Sequence, residues 1–272
     1  MNSSSASFER HEVAVDIGGT PILLRTRATD FRALLERRYA GFLRPSVSPV
    51  FAMDVELVRP ERAVCQAEEL RVWKEGRVWR LERGDFQAEF DLEAGRGRIL
   101  QSVSPYSIDS VLRIVHTLIQ ARAGGFLLHA ASVIRNGRAL LFCGASGAGK
   151  TTLSKLAPAD SILLTDEISY IRPEGDSYRA CGTPFAGELA RLGENATAPI
   201  ARLFFLAKGP ENRIEAVDAS DALRRLLRNI LFFADDSDLI QSVFRSAWDF
   251  LGRVPAARLT FYPDNRVWDL LL

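Results

Sequence analysis

The sequence predicts a chain of mixed α/β class, of the α+β kind, with a β-rich first part and a mixed-sheet core after it. Three observations carry this. Residues 70–102 are short alternating apolar and polar runs broken by turns at Gly76, Gly84 and Gly95, the pattern of an antiparallel meander. Residues 107–122 then place apolar side chains at 108, 111, 112, 115, 118 and 119, one face of a helix. Past Gly124-Gly125, residues 126–134 and 138–143 are two strongly apolar runs around Asn136-Gly137, which reads as a tight hairpin inside a core.

Composition bounds what such a chain can be. With 272 residues, 47% of them apolar and 25% charged, it is globular and buries about 75% of its unfolded surface without a disulfide or metal staple. Lys plus Arg number 35 against 34 Asp plus Glu. That balance argues against nucleic acid or an anionic membrane as the main partner. Cys65, Cys143 and Cys181 are isolated; at no metal spacing and odd in number, they imply reduced thiols and a cytoplasmic chain. The Ser-rich residues 1–10 read as a disordered leader, without the apolar core of a signal peptide. No apolar run approaches the ~20 residues a bilayer span needs.

Taken in order, residues 11–17 alternate as a strand and Gly18-Gly19 turns the chain. Residues 30–39 form a short amphipathic helix, with Thr29 or Asp30 as its N-cap. Residues 50–58 read as a strand, and the meander follows. Its outward Arg and Glu mark a solvated sheet face, and residues 1–104 hold no catalytic constellation. His116 lies in the 107–122 helix and reads as a packed or surface residue rather than a ligand. Domain boundaries are expected at 1–10, 11–104 and 105–272.

The hairpin runs straight into Gly144, Ala145, Ser146, Gly147, Ala148, Gly149, Lys150 and Thr151. This stretch fits G-x-x-x-x-G-K-[ST], with an apolar strand before it and a helix opening at Thr152 after it. Glycines let the backbone fold into a nest of N–H groups around phosphate oxygens, and a helix N-terminus adds its positive end. Lys150 reaches the β- and γ-phosphates and the Thr151 hydroxyl ligates Mg²⁺. ATP and Mg²⁺ are the expected cofactors.

Two further signals follow from spacing. An apolar strand over residues 161–165 ends in Asp166-Glu167, 16 residues after Lys150, where acids would hold Mg²⁺. His129 sits in an otherwise apolar strand. Symmetric pairing about the Asn136-Gly137 turn sets it opposite Gly144, beside the start of the loop.

Together His129, the loop 144–151 and Asp166-Glu167 resemble HPr kinase/phosphorylase, whose nucleotide core is shared with ATP-dependent phosphoenolpyruvate carboxykinase. The resemblance covers residues 105–272 and is clearest over 126–170. It implies a mixed-sheet core of that type and transfer of phosphate to a serine hydroxyl. It further implies Lys150 and Thr151 as phosphate and metal ligands, and His129 as a lining residue. Asp166 and Glu167 match the acidic pair that supplies a metal ligand and the base. The second acid is Glu where that family usually has Asp, and the family's downstream segment is replaced by residues 181–195. A divergent relative is therefore expected.

Gly187-Glu188 and Gly193-Glu194 lie in a loop-rich stretch, where either acid is a second metal ligand, an acceptor contact or a solvated residue. Strands are expected at 199–207 and 213–217, a helix over 220–233 capped by Ser220, and a helix over 237–251. A final strand covers 254–261 and a short tail 265–272. Arg224, Arg225 and Arg228 fall on one side of the 220–233 helix, as a solvated face or as readers of an anionic substrate. The expected partners are a nucleotide and a protein or peptide acceptor; self-assembly into a homo-oligomer stays open. Two other functions stay open as well: a nucleotide-gated binding module with little catalysis, and a small-molecule kinase or carboxykinase-like enzyme.

Overall fold

The first unit, up to Arg113, is organised by a seven-stranded sheet. Its strands are β1 (His11–Ile17), β2 (Thr20–Thr26), β3 (Phe51–Leu57), β4 (Arg71–Glu75), β5 (Val78–Arg83), β6 (Phe86–Asp91) and β7 (Arg96–Gln101). They lie in the order β1-β2-β3-β7-β6-β5-β4 in a computed structural model that describes residues 10–58, 69–185 and 193–271. The meander is antiparallel as expected, whereas β2, β3 and β7 pair in parallel. Strand β2 was not foreseen. Residues 1–9 and Cys65 lie outside the described residues.

Strand alternation sends Val15, Leu24, Met53, Leu81, Ala88 and Ile99 into the core. Helix α1 (Thr29–Arg38) packs on β1 and β2 through Phe31 and Leu35. Its N-cap is Ala28, with no side-chain cap bond; Thr26 instead accepts the Ala28 N–H. Buried Tyr39 donates its hydroxyl to Asp109 at 2.5 Å, and burial with that carboxylate pushes the phenol well above its ordinary pKa.

On the opposite face one residue per strand stands in cross-strand register: Glu12, Arg25, Asp54, Arg98, Glu89, Arg80 and Trp73. The charges alternate in sign from strand to strand. Arg25 meets Glu12 and Arg80 meets Glu89, each at 2.9 Å, and Arg98 reaches Glu56 at 2.7 Å. This is the solvated face the meander predicted.

Helix α2 (Pro105–Ala123) contains the boundary between the units. The second unit contains β8 (Phe126–Arg135), β9 (Arg138–Cys143), α3 (Lys150–Lys155), β10 (Ile162–Thr165), β11 (Ile168–Glu174) and β12 (Ser177–Cys181). After these come β13 (Thr197–Lys208), β14 (Arg213–Ala216), α4 (Ala219–Leu227), β15 (Ile230–Leu231), α5 (Ser237–Arg253) and β16 (Ala256–Phe261).

Strand β8 organises this unit. Residues 130–135 pair with β9, and β10 and β11 follow one another along β8 in a single register from Thr165↔Ser132 to Ile171↔Phe126. β13 runs parallel to both β9 and β16. β10 and β9 are each antiparallel to β8. Hence β10, β9, β13 and β16 all point the same way, and their C-terminal ends share one end of the sheet. Ligands of open α/β sheets bind at such ends.

Two apolar clusters cover the sheet. One joins Phe126, Leu141 and Phe205 to Leu226 of α4 and Ala247 and Phe250 of α5. The other joins Phe142, Phe204 and Leu259 to Leu153 of α3 and to Trp268 in a 3-10 turn at Asn265–Leu270.

The helix expected over 220–233 is shorter than its leucine spacing suggests. It ends at Leu227 because β8 claims the next segment: Asn229 accepts the His129 N–H at 2.7 Å, and Ile230 and Leu231 pair with Leu128 and Leu127. Its cap is Asp218, which accepts the Asp221 N–H, and Ser220 donates to Asp218. The hairpin β11–β12 was not foreseen. His116 is fully buried against Tyr170 with ring centroids 5.6 Å apart, and neither ring nitrogen has a partner among the described residues. Burial lowers its pKa to about 3, so the ring is neutral. Among the described residues no helix is long and apolar enough to cross a membrane.

Candidate functional site

Strand β9 delivers the chain into the loop. Gly147 and Gly149 adopt left-handed φ values of 73° and 108°. At Gly149 a Cβ would stand 2.4 Å from the Phe261 ring at the end of β16, so only glycine lets the loop lie against that strand. Lys150 is 8% exposed, and its ammonium donates to the carbonyls of Gly144 at 2.7 Å and Ala145 at 3.3 Å. Ala148 donates to Ala145 at 3.0 Å. Behind the loop, Cys143 is buried, which pushes its thiol up to about 12 despite nearby Lys150. It is a core residue, not a nucleophile.

The acidic pair forms the bend where β10 passes into β11. Thr165 shapes it by accepting the N–H groups of Glu167 and Ile168, both at 3.2 Å. Fully buried Thr183 donates to the Ile168 carbonyl at 2.7 Å and reaches Thr165 Oγ1 at 3.4 Å. The bend is therefore held on both sides by hydroxyls. The strip behind it lies tight on β10: Glu194 donates its N–H to Leu163 at 2.9 Å, and a Cβ at Gly193 would stand 1.7 Å from the Leu164 oxygen. Asp166 is buried and Glu167 half-buried.

His129 is the half-buried position in residues 126–134 of β8, where all the others are buried. The β8–β9 pairs end at Ala130↔Cys143, one step short of the expected His129–Gly144 position, and the His129 N–H donates to Asn229 instead. Along the β11 edge its partner is Ile168. His129 thus has the end of the acidic bend on one edge and Asn229 on the other, and meets the loop residues as part of the same cavity lining.

These pieces line one cavity of about 370 Å³. His129, Lys150, Thr151, Thr152, Asp166 and Glu167 line it, together with Ser146, Gly147 and Gly149. Gly144, Ala145 and Ala148 shape the loop without lining the cavity. Lys208 also lines it. The signal for Lys208 was present, since it directly follows an apolar run, but its strand's parallel pairing to β9 is a long-range fact. Thr183 was missed for the same reason. Glu194 is exposed and outside the described lining; Glu188 lies outside the described residues. Arg224, Arg225 and Arg228 are exposed on or just past α4 and do not line the cavity, and Arg225 binds Asp221 at 2.7 Å.

The hard oxygen donors of the described lining are the hydroxyls of Ser146, Thr151 and Thr152 and the two carboxylates. Among the described residues there is no cluster of three or more His, Cys, Asp or Glu that could hold a metal. A donor set of this size suits a cation that keeps water and phosphate ligands, as Mg²⁺ does.

One family, described as SynChlorMet cassette protein ScmC, matches residues 100–268, more than half of the chain. The chain belongs to the ScmC family. The ScmC match takes in every described residue that lines the cavity and leaves β1 to β6 outside it. The likeness to HPr kinase/phosphorylase remains a resemblance carried by three motifs, and the family shown is ScmC. Nothing among curated proteins matches the chain. Among solved structures, the HPr(Ser) kinase/phosphatase from Coxiella burnetii is similar over 44% of this chain and 87% of its own, at 12% identity and a TM-score of 0.25.

Proposed function

We propose that this ScmC-family chain is an ATP- and Mg²⁺-dependent phosphotransferase that phosphorylates a serine hydroxyl on a small protein or peptide. The observation that carries the reading is the convergence of Lys150, the acidic pair and His129 on one cavity of about 370 Å³, within the usual range for ligand sites. The loop N–H groups and Lys150 hold the β- and γ-phosphates. Thr151 and Asp166 would hold Mg²⁺, which supplies charge neutralisation when bound. Glu167 takes the proton of the acceptor hydroxyl as that oxygen bonds to phosphorus, and the electron pair of the broken P–O bond leaves with the diphosphate. His129, which lines the cavity at the end of the acidic bend, orients the acceptor. Serine as the acceptor group rests on the resemblance to HPr kinase/phosphorylase. The family's description as a cassette protein suits an acceptor made by the same cassette. A carboxykinase-like reaction is less well supported, because no arginine stands among the described lining residues.

Lys150→Ala tests the reading. Titration with Mg²⁺-ATP should show affinity reduced about 100-fold or more, the scale of losing a fully engaged charge-assisted contact. The melting temperature should stay within a few degrees of the parent. Unchanged affinity in the folded variant would sink the phosphate-loop assignment.

A further inference from the structure

We infer that Lys208 is a second phosphate-binding cation, placed on the leaving-group side of the transferred phosphoryl group. This rests on the phosphotransferase reading and adds a residue to it. Lys150 donates to the Gly144 and Ala145 carbonyls at the loop whose phosphates it is proposed to hold. Lys208 is exposed and lines the same cavity, and its ammonium makes no hydrogen bond or ion pair among the described residues.

Topology fixes which flank it occupies. β10 and β9 each pair with β8, and β13 pairs with β9. The acids follow β10, the loop follows β9 and Lys208 ends β13, so the acids and Lys208 stand on opposite sides of the loop. Phe205 pairs in parallel with Cys143, and Lys208 lies three residues farther on, about 10 Å along the strand. It therefore stands level with the loop, at the last pair of β13 with β16, Lys208↔Phe261. The carboxylates among the described lining, Asp166 and Glu167, are both on the far flank. An acceptor hydroxyl has to meet a carboxylate there. In-line displacement puts the departing oxygen opposite, where the new negative charge of the nucleoside diphosphate meets Lys208.

The test uses full-length Lys208→Met and Lys208→Arg, with Lys150→Ala as reference. Affinity for Mg²⁺-ADP and Mg²⁺-ATP is read by titration and turnover by phosphate transfer or ATP hydrolysis. Lys208→Met should weaken ADP about tenfold and slow turnover about 10²-fold, and Lys208→Arg should restore most of both. Because the side chain is exposed, melting temperatures should match, and the Arg variant keeps the test open if Met disturbs the fold. If nucleotide affinity and turnover stay normal in Lys208→Met while Lys150→Ala loses ATP, the Lys208 inference falls and the phosphotransferase reading stands. A rise in acceptor KM with normal nucleotide affinity also overturns it, since Lys208 would then meet the acceptor. If the unaltered protein binds no nucleotide, both fall.

Discussion

In the first unit, charge is spread along strands and cancelled in place. The row from Glu12 to Arg80 crosses six strands with alternating sign and ends on Trp73 at the seventh. In the second unit the informative charges stand at strand ends. There Asp166 and Glu167 are adjacent and alike, and Lys150 and Lys208 share their cavity. Mid-strand charges are held apart by the pleat, and each finds a cross-strand partner. At a strand end the backbone bends, so neighbours can point to one place. Two like charges brought together cost stability, and they persist where their chemistry is used. A sheet face rich in Arg and Glu therefore points less to a site than two acids at a strand end that share a cavity with a glycine-rich loop.

The contrast can be broken most directly at Glu167. Glu167→Gln keeps the shape and removes the proton acceptor, so transfer should fall about 10²–10⁴-fold with Mg²⁺-ATP affinity nearly intact. Asp166→Asn should instead weaken Mg²⁺-dependent nucleotide binding, because it removes a charged oxygen ligand. Single-turnover transfer beside nucleotide titration separates the two, and a normal rate in Glu167→Gln removes it as the base.

A smaller effect is expected at His116, which belongs to neither arrangement. Its folded pKa is about 3, against about 6.5 in the unfolded chain. Between those values the unfolded chain binds the extra proton, so stability is lost as pH falls from 6.5. The loss should reach about 2 kcal/mol by pH 5. His116→Leu should flatten that slope in denaturant titrations at pH 7 and pH 5. An unchanged slope would mean that the ring is not buried as a neutral group.

The smallest effect belongs to the charged row. Arg80→Ala removes its ion pairs to Glu75 and Glu89, both exposed. Stability should barely change, and less still in high salt. A large loss of stability, or a loss of phosphate transfer, would show that the row does more than solvate its face.

What could be read in the sequence was whatever a local pattern dictates. The turn at Asn136-Gly137 fixes the β8–β9 register as far as Ala130↔Cys143, one step from His129 and from the loop. The loop glycines and the acids after Thr165 are equally local. The hidden features depend on pairing between distant segments. The leucines of residues 223–231 keep a helical period, yet an available edge at Leu127 and Leu128 drew Ile230 and Leu231 into the sheet. Thr183 and Lys208 acquire meaning only when β10 and β13 are laid beside their partners. Pro173 and the charged residues of β11 hid a hairpin that has to exist for β8 to be covered on that edge.

The contact between Gly149 and Phe261 also sets a timetable. The surface that the loop rests on arrives about 110 residues after it, with β16. At roughly 5–20 residues per second, about 5–20 seconds separate the two on the ribosome. During that interval β13 has no β16 beside it and the loop has no Phe261 beneath it. An emerging chain stalled before β16 should therefore carry the Gly144 to Thr151 sequence without the surface that its loop rests on.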